Sequence, residues 1–172
     1  MSKKTLRELT GTVVFPPDMN IEAKIQELGL TLPPPPAPAG AYVPAVRTGN
    51  LLFLSGTLPM ADGKLTHTGM IGSAPEKDIA YGYAAARQCA LAALANAKAF
   101  LGTLDKVKRV VNVNGFVYAP EGFADAPKVI NGASELFMAV FGENGKHARA
   151  AVALGGVPLH ATTEVQVILE VE

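Results

Sequence analysis

From Val107 onward the apolar positions change period twice. VKRVVNVNGFVY (107–118) sets apolar residues against Arg109, Asn112 and Asn114, which predicts a β-rich strand in the middle of a sheet. The period then lengthens: Val129, Ile130, Ala133, Phe137, Val140 and Phe141 fall on one helical face, with Asp125 to cap it and Gly142 to end it. Alternation returns in KHARAAVALGGVPLHATTEVQVILEVE (146–172), read as two strands joined by a Gly-Gly-Val-Pro turn. In the second of these, Val165, Val167, Leu169 and Val171 alternate with Glu164, Gln166, Ile168 and Glu170.

Upstream the punctuation is stronger than the pattern. Thr12–Phe15 is a candidate short strand or part of a mobile arm. Asn20 can cap a short helix whose Ile21, Ile25 and Leu28 share a side, with Gly29 in the left-handed C-terminal position. The run LPPPPAPAG (32–40) offers few amide donors and predicts a stiff extended connector laid over a surface, with an SH3-type ligand as the alternative. AYVPAVRTGNLLFLSG (41–56) is a hairpin signal turning at Thr48-Gly49-Asn50, and Pro44 argues that its first strand lies at an edge or carries a bulge. The loop-rich 59–73 contains a tight Asp62-Gly63 turn. Ser73 and Glu76 form a capping box, with Pro75 in the first turn, for a long helix running to Leu101. Its alanines permit close approach to a sheet.

The expected order is β-β-loop-α-β-α-β-β, an α+β fold with both helices on one side of the sheet. That layout leaves the far face uncovered. A symmetric oligomer would bury it and place ligand sites between subunits.

Composition narrows the function. The 172 residues are expected to form an N-terminal extension (1–38) and one domain (39–172), long enough to bury a sizeable core. Fifteen basic residues balance fifteen acidic ones, which gives no electrostatic footprint for nucleic acid. A single cysteine, Cys89, excludes an internal disulfide, suits a reducing compartment and sits in an alanine-rich helical pattern as a packing residue. His67, His147 and His160 lack metal-ligand spacing. With no secretory-type apolar run near the start and no membrane-length stretch, the expectation is a cytoplasmic protein without membrane partners.

One residue breaks the apolar logic. Arg149 shares a strand face with the small Ala151 and Ala153, and an arginine there calls for a carboxylate or other anion. Glu164 is one candidate partner; the carboxylate of a ligand is another.

The order of motifs resembles the RidA/YjgF family, the reactive-intermediate enamine/imine deaminases also labelled L-PSP endoribonucleases. The matching pieces are Tyr42-Val-Pro-Ala-Val, Gly49 to Gly56, Ile130-Asn131, Arg149-Ala-Ala-Val152, Val157-Pro158 and Glu164. The resemblance implies a chorismate-mutase-like fold, a homotrimer with three clefts between subunits, and hydrolysis of 2-aminoacrylate-type imines to 2-keto acids and ammonia without a cofactor. It assigns Arg149 to the substrate carboxylate and Glu164 to the water. Tyr42, Ser55, Gly56 and Asn131 line the pocket, and the backbone at Ala151 meets the substrate. Val43-Pro44, Thr57 and Ala151 depart from the family's usual Ser-Gln, Gln and Cys, and the N-terminal part looks like a longer branch. Two other classes stay open: a non-catalytic small-carboxylate binder on the same fold, and an endoribonuclease, against which the balanced charge argues.

Overall fold

The computed structural model describes residues 20–36, 38 and 40–172. The strand expected at Thr12–Phe15 lies outside them. The elements in chain order are α1 (Ile21–Glu27), β1 (Ala45–Thr48), β2 (Leu51–Leu54), β3 (Met60–Ala61), β4 (Lys64–Leu65), α2 (Ile79–Leu101), β5 (Val107–Tyr118), α3 (Ala126–Phe141), β6 (Ala148–Leu154) and β7 (Thr163–Val171).

Local chemistry explains most of the boundaries. The Asn20 side chain accepts from the Ala23 amide at 2.7 Å and starts α1, whose Ile21 and Ile25 are buried in the same core as the rest of the chain. Gly49, at φ +57°, turns β1 into β2. Asp62 and Gly63, at φ +50° and +74°, make the tight turn of the small β3–β4 hairpin, a backbone conformation that favours these residues. The long helix begins later than its sequence suggests. Ser73 Oγ donates backward to the Met70 carbonyl at 2.7 Å, and the Gly72 amide closes on the Lys77 carbonyl, so 72–77 is a turn. The N-cap is Asp78, which accepts from the Tyr81 amide at 2.9 Å. Asp125 precedes α3 as expected, but its carboxylate pairs with Lys128 at 2.9 Å instead of capping an amide.

Five strands form one mixed sheet in the order β1-β2-β7-β5-β6. β1 is at an edge, one of the two placements Pro44 suggests, and Pro44 itself immediately precedes the strand. The two C-terminal strands are not partners of each other: β5 lies between them, antiparallel to β7 and parallel to β6. α3 is the crossover that a parallel β5–β6 pair needs. α2 and α3 cover one face of the sheet, above Leu52, Leu54, Val110, Val113, Val117, Val165, Val167 and Leu169. Where the helices meet, a Cβ on Gly132 would lie 2.0 Å from the Tyr83 carbonyl oxygen, so the approach is glycine-dependent.

The opposite face has no layer over it among the described residues of one chain. Val46, Phe53 and Ile168 lie side by side across β1, β2 and β7, and Val152 and Leu154 continue the apolar surface on β6. Among the described residues, no helix is long and apolar enough to cross a membrane.

Candidate functional site

Pairing register decides which side of the sheet each candidate occupies. Arg149 stands opposite Val113, which is buried beneath the helices, so its side chain turns to the helix side at the β6 edge. There α3 presents Asn131 and Ser134, three residues apart and on one helical face. Arg149 Nη1 donates to Asn131 Oδ1 at 2.8 Å and to Ser134 Oγ at 3.0 Å. Both hydrogens of that nitrogen are thereby occupied.

His147 completes the group. Its Nδ1 is 2.6 Å from the Gly145 carbonyl, which can only accept, so Nδ1 carries the proton and Nε2 is an acceptor. Ser134 Oγ lies 3.0 Å from that Nε2 and donates to it. The ring also meets Phe137 edge-on, with centroids 6.0 Å apart. Burial, and secondarily the charge of Arg149, hold the His147 pKa below its ordinary value, while the Gly145 bond acts the other way.

Glu164 is on the other face. It pairs with Phe116, opposite in phase to the buried Val165 and Val117. It lines a cleft of about 480 Å³ with Tyr42, Ser55, Gly56, Leu58 and Leu159. A Cβ on Gly56 would fall 1.8 Å from Glu164 Oε1, so the carboxylate rests directly on bare backbone. Ser55 Oγ donates to the Val43 carbonyl at 2.7 Å and fixes the segment that carries Tyr42, itself 49% exposed. Partial burial raises the Glu164 pKa, and no hydrogen bond or ion pair offsets it among the described residues.

The structure therefore gathers the candidates into two groups. Tyr42, Ser55, Gly56 and Glu164 share one cleft; Arg149 and Asn131 share the β6 edge. Ala151, two residues along the strand from Arg149, lines a separate cleft of about 530 Å³ under the 119–127 loop. The Arg149–Glu164 pairing considered from sequence does not occur within a chain, because the residues face opposite sides of the sheet. Thr57 is buried, its hydroxyl between the Cys89 and Val165 carbonyls at 3.0 and 2.9 Å, and bridges β7 through its backbone. Cys89 is fully buried, its thiol pushed up to about 12 by desolvation, in keeping with a packing role. No three His, Cys, Asp or Glu side chains converge as metal ligands among the described residues.

Ser134 and His147 were not singled out from sequence as site residues. The i,i+3 spacing from Asn131 was the available signal for Ser134. His147 carried only its position two residues before Arg149.

The mixed sheet with helices on one face, and polar clusters at its edge and on its open side, defines a chorismate-mutase-like α+β protein. Residues 22–171 match the model of the family described as "YjgF/chorismate mutase-like, putative endoribonuclease", and the chain belongs to that family. It is 43% identical over 151 residues to a Trypanosoma cruzi protein named TCP17, covering 87% of this chain and 93% of that one. A crystal structure of a protein of unknown function from Agrobacterium tumefaciens matches with TM-score 0.81 at 45% identity, covering 88% of this chain and 92% of that one. A "putative endoribonuclease" from Shewanella oneidensis matches with TM-score 0.84 at 32% identity, covering 88% and 99%. RidA from an Antarctic Psychrobacter matches with TM-score 0.56 at 28% identity, covering 79% and 93%. The chain is thus closer in shape to the first two structures than to that RidA.

Proposed function

We propose that the protein hydrolyses reactive 2-imino acids and their enamine tautomers to 2-keto acids and ammonia, at a site completed between copies of the chain. The observation that carries this reading is the state of Arg149. Nη1 is tied to Asn131 and Ser134, which leaves the side-on fork of Nε–H and Nη2 for a carboxylate. A guanidinium held this way fixes the orientation of a small anion.

The reaction needs little else. The protonated imine carbon is electrophilic. Water adds to it, giving up a proton as the C–O bond forms; the carbinolamine nitrogen takes up that proton, the C–N bond breaks to release ammonia, and the hydroxyl proton leaves as the C=O bond forms. Glu164 is suited to carry that proton from water to nitrogen, since partial burial without a partner raises its pKa toward the working range. Tyr42, Ser55 and Gly56 shape the cleft around it.

Because Arg149 and Glu164 face opposite sides of one sheet, one chain cannot present both to a small substrate. Apposition of copies, with three in a closed ring as the working arrangement, would bring one chain's Arg149 to its neighbour's Glu164 and cover the row of exposed Val46 and Phe53 and half-buried Ile168.

The test is imine depletion. An amino-acid oxidase generates imines from a panel of amino acids, semicarbazide traps them, and loss of semicarbazone is followed with wild type and Arg149→Ala. Loss with wild type alone supports the deaminase. No loss with either, while 2-ketobutyrate raises the Tm of wild type alone, makes the protein a carboxylate binder.

A further inference from the structure

The donors and acceptors around Arg149 run in a single direction. Nη1 donates to Ser134 Oγ at 3.0 Å, Ser134 donates to His147 Nε2 at 3.0 Å, and His147 Nδ1 donates to the Gly145 carbonyl at 2.6 Å. Asn131 accepts from Nη1 through a carboxamide oxygen at 2.8 Å and has no further role in the chain. Ser134 is different. Its oxygen faces Arg149 because its own proton is taken up by a ring nitrogen, and that nitrogen is an acceptor only because the other one is committed to Gly145. Ser134 is buried and held between the two larger side chains, so it is placed as a link, without the approach path a nucleophile needs.

We propose that His147, acting through Ser134, is the positioning residue for Arg149, and that the grip on the carboxylate requires the imidazole to be neutral. The proposal rests on reading Arg149 as the carboxylate anchor. A proton on Nε2 turns it into a donor and sets two cations on one hydroxyl, which drives the guanidinium out of line. Arg149 is the charged group against the ring. From α3 the contacts are Ser134 and Phe137, and Lys146, the preceding residue, pairs with Glu143 at 2.8 Å. Burial keeps the neutral ring favoured at neutral pH. Glu164, across the sheet, titrates with the opposite consequence: its protonation removes a negative charge and favours an anion.

The experiment is calorimetric titration of 2-ketobutyrate into the full chain between about pH 8 and pH 5, a range over which the keto acid stays ionised and histidine changes charge. The proteins are wild type, Arg149→Ala, Ser134→Ala and His147→Phe. Wild-type affinity should weaken toward the acid end. Ser134→Ala and His147→Phe should bind about 5-fold more weakly at the alkaline end, the scale of one hydrogen bond, and lose the acid-side weakening. If wild type does not bind, or Arg149→Ala binds as well, the anchor reading itself fails. If Arg149→Ala loses binding while Ser134→Ala and His147→Phe follow wild type at every pH, the positioning role is overturned. Should the larger ring in His147→Phe prevent folding, Ser134→Ala removes a single oxygen and decides alone.

Discussion

Arg149 and Glu164 sit on the same sheet and are built in opposite ways. Arg149 is at an edge strand and largely exposed, yet half of its guanidinium is immobilised by Asn131 and Ser134. Glu164 is on an interior strand, half-buried against Gly56, and has no partner among the described residues. A group that must hold an anion profits from fixed donors and a charge that does not change with pH. A group that must move a proton profits from a poised pKa and free lone pairs. The contrast in surroundings supports the proposed division, with Arg149 holding the anion and Glu164 moving the proton.

The largest expected effects come from removing either member. On the proposed reading Arg149→Ala removes two charge-assisted hydrogen bonds to substrate and should lower kcat/KM about 10²- to 10⁴-fold, mostly through KM. Glu164→Gln keeps the shape and removes the proposed base, so kcat should fall about 10²- to 10⁴-fold with KM little changed. Wild-type activity should have an acid limb at higher pH than an ordinary carboxylate gives, because burial raises the Glu164 pKa, and the variant should lose that limb. If both variants lowered the same parameter to the same extent, the division of labour would be wrong.

Mixing the two dead variants sharpens the comparison further. After co-refolding in equal amounts, a site drawing Arg149 from one copy and Glu164 from another is intact about a quarter of the time, so about a quarter of wild-type activity should return. Sites confined to one chain would stay silent. A smaller effect is expected from Gly56→Ala. The new methyl displaces the Glu164 carboxylate, and kcat should fall about 10- to 100-fold, the scale of an ångström of misplacement, while 2-ketobutyrate affinity holds.

What sequence could and could not disclose follows from the range of the forces involved. Alternation along β5 and β7, the apolar face of α3, the Gly49 turn and the Asn20 cap are local, and each was legible. Strand partnership is not local. Nothing in 146–172 records that β5 inserts between β6 and β7, so the Arg149–Glu164 pair, natural for adjacent strands, dissolves once the register is known. The capping box at Ser73 failed because a serine hydroxyl has competing local acceptors, and the Met70 carbonyl won. Ser134 reads as one more small residue on a helix face until the fold brings β6 alongside it.

The smallest effect is the one that best probes the unpaired state of Glu164. Its carboxyl has a higher pKa in the folded chain than in the unfolded one, so the folded state binds the proton more tightly and ionisation costs stability. That cost is absent below the ordinary carboxylate pKa, grows as pH rises between the unfolded and folded values, and is complete above the folded one. Glu164→Gln never ionises and should therefore melt higher than wild type at pH 7, by a few degrees at most given about 2–4 °C per kcal/mol for a chain of this size. The gap should close as pH falls into the ordinary carboxylate range. A lower Tm for the variant at pH 7 would mean that Glu164 meets a cation in the assembled protein, and the unpartnered carboxylate of the single chain would not be its working state.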